Sequence, residues 1–256
     1  MSDIALALRQ VRFENRSFWR NPAAAFFTFA FPLIFMVIFN VLFGGNAEPG
    51  AIYTAADFFT PAIVALSVIT ACYTNIAMTV TSARDEGILK RVRGTPLPEW
   101  AYLAGRIGQS VFVTILLVVI VSAFGLIAYG VDFPFGRLPW LLAALVLGAA
   151  TFSALGLAIT GFIPNADAAP AIVNATVLPL LFISNIFAQV GDGFPVWVDT
   201  ISKVFPFRHF ADLLHRAWDP RVTELGFDPL PWAVLAIWLV GGILIAKRFF
   251  TWEPRT

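Results

Sequence analysis

The sequence predicts an all-α integral membrane protein, six transmembrane helices in one domain over residues 1–256, and two observations carry that prediction. Of the 256 residues, 59% are hydrophobic and 13% charged, where soluble domains run near ~45–50% apolar and ~25% charged. The charges are also segregated, leaving six charge-free stretches of 18 to 29 residues. The first observation excludes a soluble enzyme, a disordered chain and a nucleic-acid binder, because too few charges remain to coat a water-facing surface. The second excludes a β-barrel, whose strands would alternate polar and apolar residues. Mean hydropathy is +0.79. The net charge of +1 selects no partner of opposite sign, and the single cysteine, Cys72, provides no disulfide framework or thiolate metal site.

The elements follow in chain order. Residues 3–20 set Ile4, Leu8, Val11, Phe18 and Trp19 at helical spacing, with Arg9, Arg12, Arg16 and Arg20 on another face. That pattern predicts an amphipathic helix in the headgroup region of the bilayer. Charge-free stretches at 21–47, 58–83, 107–131, 138–166, 168–191 and 229–246 follow. A crossing of the hydrocarbon core takes about 20 residues, so spans are placed near 24–43, 58–81, 107–129, 139–162, 168–188 and 229–249. The first is too long for a cleaved leader and has no small-residue cleavage pattern. Lys247 and Arg248 can extend the last span by snorkelling. Between spans 2 and 3, residues 82–93 read as a short charged helix stopped by Gly94 and Pro96. Residues 189–228 exceed a normal connection. They read as two short helices dipping into the outer leaflet, a re-entrant pair before the last span.

Orientation follows from the basic residues. With both termini cytoplasmic, the inner side holds 12 Lys and Arg and the outer side 5. The expectation is a multi-pass protein of the plasma membrane, with the lipid bilayer as its solvent and no nucleic-acid partner.

No charged residue lies in the central part of any span, whereas ion-driven carriers usually place one there. Paired broken helices of an inverted repeat are absent too. The chain has no G-x-x-x-x-G-K-[ST] loop, so P-loop binding of ATP is not available to it. Energy for active transport would have to enter through another subunit.

The cytoplasmic stretch 81–106 is where such a subunit would dock. Its sequence resembles the membrane subunit of type-2 ABC exporters, the permeases of drug, lipid and polysaccharide efflux. The matching positions are Glu86-Gly87, Leu89-Lys90-Arg91, Gly94-Thr95-Pro96, Tyr102 and Gly105-Arg106. Arg20-Asn21-Pro22 before a Phe-rich span with Pro32 is similar to the drug-type branch, as is Phe205-Pro206 followed by His209, Asp212 and Leu213. The resemblance covers nearly the whole chain; its loop pattern is specific, its apolar spans are not. It implies two six-span permeases, this chain with a second copy or close paralogue, above two copies of an ABC ATPase that bind ATP and Mg. The permease itself would hold no cofactor and catalyse nothing. Residues 82–93 would be the coupling helix, with Arg84, Asp85, Glu86, Gly87, Leu89, Lys90, Arg91 and Gly94 at the ATPase. The competing reading is a solvated basic loop. Residues 3–20 would be the connecting helix beside it. The cargo would be a hydrophobic or amphipathic drug or lipid, or alternatively a polysaccharide or glycolipid.

Two polar sets inside the spans are candidates for a translocation path. Thr60, Ser67, Thr70, Thr74 and Thr81 fall on one stripe of an ideal helix. Asn174 and Asn185, eleven residues apart, would share a face of span 5 about 16 Å apart. Hydroxyls and amides also bond helices to one another, so path and helix packing both remain open readings. Pro170 and Pro179 should bend span 5. His209, Asp212 and His215 spread over about 120° of a helix, poor geometry for zinc, so an interfacial polar face is preferred to a metal site. An intramembrane enzyme, a passive channel and a scaffold are the readings from other classes, and none of them needs an ATPase.

Overall fold

A computed structural model describes residues 3–44, 53–95, 97–187, 195–222 and 227–253. Ten helices account for most of these residues, with no strand among them. α1 (Asp3–Trp19) is followed by α2 (Pro22–Phe43), where Pro22 sits at the first turn and the Asn21 side chain accepts from the Ala24 N–H at 3.1 Å. α3 (Ala55–Asp85) starts with a reciprocal capping box between Thr54 and Asp57 and contains a π-helical turn at Thr70–Thr74. α4 (Ile88–Arg93), α5 (Glu99–Tyr129), α6 (Leu138–Thr160) and α7 (Ala169–Phe182) come next. α8 (Val196–Val204) and α9 (Pro206–Trp218) precede α10 (Pro229–Phe249), which the Asp228 carboxylate caps.

Five of these helices, α2, α3, α5, α6 and α10, are long and apolar enough to cross a membrane. The protein is an all-α, multi-pass membrane protein. α3 is its central post: nearly every residue from Ala56 to Ile69 is buried, against α2, α5, α6 and α9. α10 lies closely along α6, where Gly242 brings its backbone onto Ala154. Gly156 of α6 faces the π turn, and a Cβ there would stand 2.9 Å and 2.8 Å from the carbonyl oxygens of Cys72 and Tyr73. Only glycine admits that approach.

Three expectations about the helices need correction, and one helix outruns its span. The helix expected at 168–188 ends at Phe182, because Asn185 takes a left-handed φ of 57°. Its 14 residues span about 21 Å, short of the hydrocarbon thickness. The helix expected at 82–93 is broken: span 2 continues to Asp85, Gly87 adopts φ 68°, and α4 starts at Ile88. The helix that carries span 3 starts at Glu99, two turns before the apolar stretch at 107. Finally, the π turn adds a residue to one turn of α3, so a polar stripe drawn on an ideal helix does not stay on one face.

The two short helices expected before the last span are present as α8 and α9, and residues 189–194 and 223–226 of that region, like Pro96, lie outside the described residues. α9 turns inward. Phe207, Phe210, Leu213 and Leu214 are buried, with Phe210 seated over Gly148 of α6. Arg137 donates to the carbonyls of Arg216, Ala217, Asp219 and Val222, closing the C-terminal end of α9.

Candidate functional site

The charged surface at one end of the bundle is built on α4. Gly87 reverses the chain after α3, and Leu89 drops fully buried into a cluster with Ile76, Val80, Tyr102 and Leu157. With Leu89 as the anchor, Glu86, Lys90, Arg91, Arg93 and Gly94 stay exposed. Arg93 pairs with Glu99 at 2.9 Å, and Arg91 reaches the Glu86 carbonyl at 3.4 Å. The outcome is a short basic knob on a rigid apolar stem, at the mouth of spans 2 and 3.

Arg84 does not belong to that surface. It is 2% exposed and donates to the carbonyls of Thr160 (3.0 Å), Ile163 (2.9 Å) and Pro164 (3.1 Å), in the connection from α6 to α7. Asp85 accepts from Arg84 at 3.2 Å and from the Ala166 N–H at 2.5 Å. These two side chains clamp the end of α3 to the start of α7, so a contact of Arg84 with another subunit is corrected to an internal one. Carbonyl acceptors carry no side-chain signature, which is why the sequence did not reveal this role.

α1 lies beside this platform along α5. Gly105 and Gly108 accept Gln10 and Val11 so closely that a Cβ at either position would overlap them. Glu14 is 5% exposed, meets Arg106 at 3.0 Å and accepts from Gln10 at 2.9 Å. Burial raises its pKa, and the Arg106 charge and the Gln10 bond oppose that only in part. Arg9, Arg12, Arg16 and Arg20 all point outward, with Leu8 and Phe13 exposed among them.

Within the spans the polar residues divide. Thr60 is fully buried against Gly125 and Met36, and Ser67 donates to the Ile63 carbonyl at 2.7 Å. Thr70 is exposed at a cavity of about 240 Å³ between α2 and α3, shared with Thr28. Thr74 is half-buried and, past the π turn, lies with Asn75 and Thr79 on the partly open side of α3. Asn174 is exposed on α7 in a row with Pro170 and Leu178, while Val173, Val177 and Leu181 face inward. Tyr73 and Thr176 join the two helices by a 2.9 Å hydroxyl contact that the sequence did not announce. Asn185 is not on the Asn174 face. It lies beyond the helix, donates to Asp212 at 2.8 Å, and its carbonyl lies 3.0 Å from His215 Nε2.

His209, Asp212 and His215 are likewise separate: His209 meets the Lys203 carbonyl at 2.8 Å, and His215 stacks on Phe58. Among the described residues no group of three metal-ligating side chains converges.

The family model described as "ABC-2 type transporter" matches residues 7–217. The chain belongs to the ABC-2 type transporter family. It is a membrane permease, the component without the ATPase motifs. Among its relatives is the "Inner membrane transport permease YadH" of Escherichia coli K12, 24% identical over 218 residues, covering 83% of this permease and 81% of that one. The "Probable multidrug ABC transporter permease YbhR" of the same organism is 24% identical over 156 residues, 61% of this chain and 42% of the relative. This permease therefore spans less than half the length of the second relative that it matches.

Proposed function

We propose that this permease pairs with a second copy or close paralogue and with two ABC ATPase subunits to export a hydrophobic or amphipathic cargo. ATP and Mg would be bound by those ATPases. The observation that supports this reading best is the mounting of α4. A solvated basic loop needs only charges, whereas here Leu89 is buried and Gly87 turns so that Glu86, Lys90 and Arg91 project from a fixed stem. In this reading that knob seats in the ATPase, and the Arg84–Asp85 clamp carries its displacement to α7. Thr70, Thr74 and Asn174 lie along the path, and Asn185, Thr60 and Ser67 hold the walls. In this reading residues 168–188 make the sixth crossing with α7 as its helical part, α8 and α9 form the re-entrant pair, and both termini are cytoplasmic, the orientation that the basic asymmetry of 12 to 5 favours.

An affinity-tagged permease, purified from its native cells, should bring down an ABC ATPase in a one-to-one ratio. Recovery of active permease without any ATPase would refute the proposal. In a variant lacking Cys72, single cysteines at Arg93 should resist impermeant thiol reagents in whole cells while those at Trp197 label. The reverse pattern would invert the topology.

A further inference from the structure

A cavity of about 770 Å³ opens between α5, α6 and α10, and none of the α3 and α7 residues assigned to the path lines it. Its walls are apolar, formed by Leu103, Ile107, Leu157 and Ile243. Its rim is not. Trp100, Trp252 and Lys247 stand at the end of the bundle that carries α4, with Glu99 beside them. Glu99 is already paired to Arg93, Lys247 is in no ion pair among the described residues, and the exposed Glu253 beside Trp252 is offset by Arg248, so the rim keeps a net positive charge. Arg248 is exposed next to it.

We infer that this groove binds an anionic phospholipid from the leaflet on the α4 side, its acyl chains along α5, α6 and α10 and its phosphate on Lys247. Three features select that occupant. The groove opens sideways from apolar helices, so in a bilayer hydrocarbon fills it rather than water. Indoles at its mouth mark headgroup depth. The volume lies in the range of sites that hold a single small ligand, and basic residues between helices at this depth attract anionic headgroups. A second permease copy meeting it groove to groove is a poor occupant, because two rims of net positive charge would face each other. The floor residue Leu157 belongs to the same cluster as Leu89, Tyr102 and Trp252. An occupied groove therefore stiffens the stem of α4.

The test uses the full-length permease in neutral detergent, with lipid retention read by native mass spectrometry and stability by thermal unfolding. Phosphatidylglycerol should be retained and raise Tm, and phosphatidylcholine should bind more weakly. Lys247→Gln should lower phosphatidylglycerol affinity about fivefold and leave phosphatidylcholine unchanged. Ile243→Trp, which fills the groove, should reduce binding of both. Inorganic phosphate should shift nothing. Equal retention of the two lipids, phosphatidylglycerol binding untouched by Lys247→Gln, or a Tm rise from phosphate alone would each overturn the assignment. Lys247→Gln alters only an exposed head group, so it keeps the test decisive even where Ile243→Trp misfolds.

Discussion

Arg84 is the residue that ties the end of α3 to the connection between α6 and α7. Its guanidinium satisfies the buried carbonyls of Thr160 and Ile163, which would otherwise have no donor, and reaches the part-buried one of Pro164. Replacing it by Ala orphans them and leaves Asp85 without its cation, at a cost of about 3–5 kcal/mol. Thermal unfolding of Arg84→Ala should show a large loss, and Arg84→Lys only a partial rescue, since an ammonium cannot present the same planar fork. A milder defect equal in both variants would mean that the clamp is not structural. Gly156 gives a second test: an alanine there meets backbone oxygens that cannot rotate away, so about 1–3 kcal/mol should be lost. Asp219 sets a pH dependence on the opposite side. Hydrogen bonding from Arg221 holds its carboxyl below the ordinary value, and Arg221 also covers Tyr53, whose hydroxyl is pushed up to about 12 chiefly by burial. A lowered carboxylate pKa stabilises above the unfolded value and loses that contribution as pH falls through the folded one. Asp219→Asn should therefore have a lower Tm than the native chain at neutral pH. That gap should close below about pH 4; a gap constant with pH would contradict the assignment.

At the scale of elements, the spans were legible because a bilayer imposes one simple rule, and the last helix is observed at the predicted residues 229–249. What charge spacing could not convey is how a helix behaves inside its apolar run. The π turn at Thr70–Thr74 and the left-handed Asn185 leave hydrophobicity unchanged while they split the polar stripe and shorten α7. Gly87 was visible, but within a charged segment it reads equally as helix interior or helix break. The basic face of α1 was legible, whereas its seating on Gly105 and Gly108 depends on which faces meet. The surviving candidates for the path can be tested at this scale. Thr74→Phe and Asn174→Leu should block transport while complex assembly persists, measured on one preparation. If these residues only glue helices, the losses stay near ~0.6 kcal/mol per hydrogen bond and bulk harms assembly before flux.

For the whole molecule, the proposed complex puts the energy source in a separate ATPase, a reading that membership in the ABC-2 type transporter family supports. In that proposed complex α4, fixed by Leu89 and exposing Glu86 and Arg91, receives the energy. The most direct measurement is ATP hydrolysis and cargo transport, recorded together on permease and ATPase reconstituted in vesicles. The double charge reversal, Glu86→Arg with Arg91→Glu, touches no buried side chain and should leave the membrane bundle folded. The account predicts that this variant loses cargo-stimulated hydrolysis and transport together, by about tenfold or more, the equivalent of ~1.4 kcal/mol of coupling. Hydrolysis and transport coupled as in the native complex would contradict it.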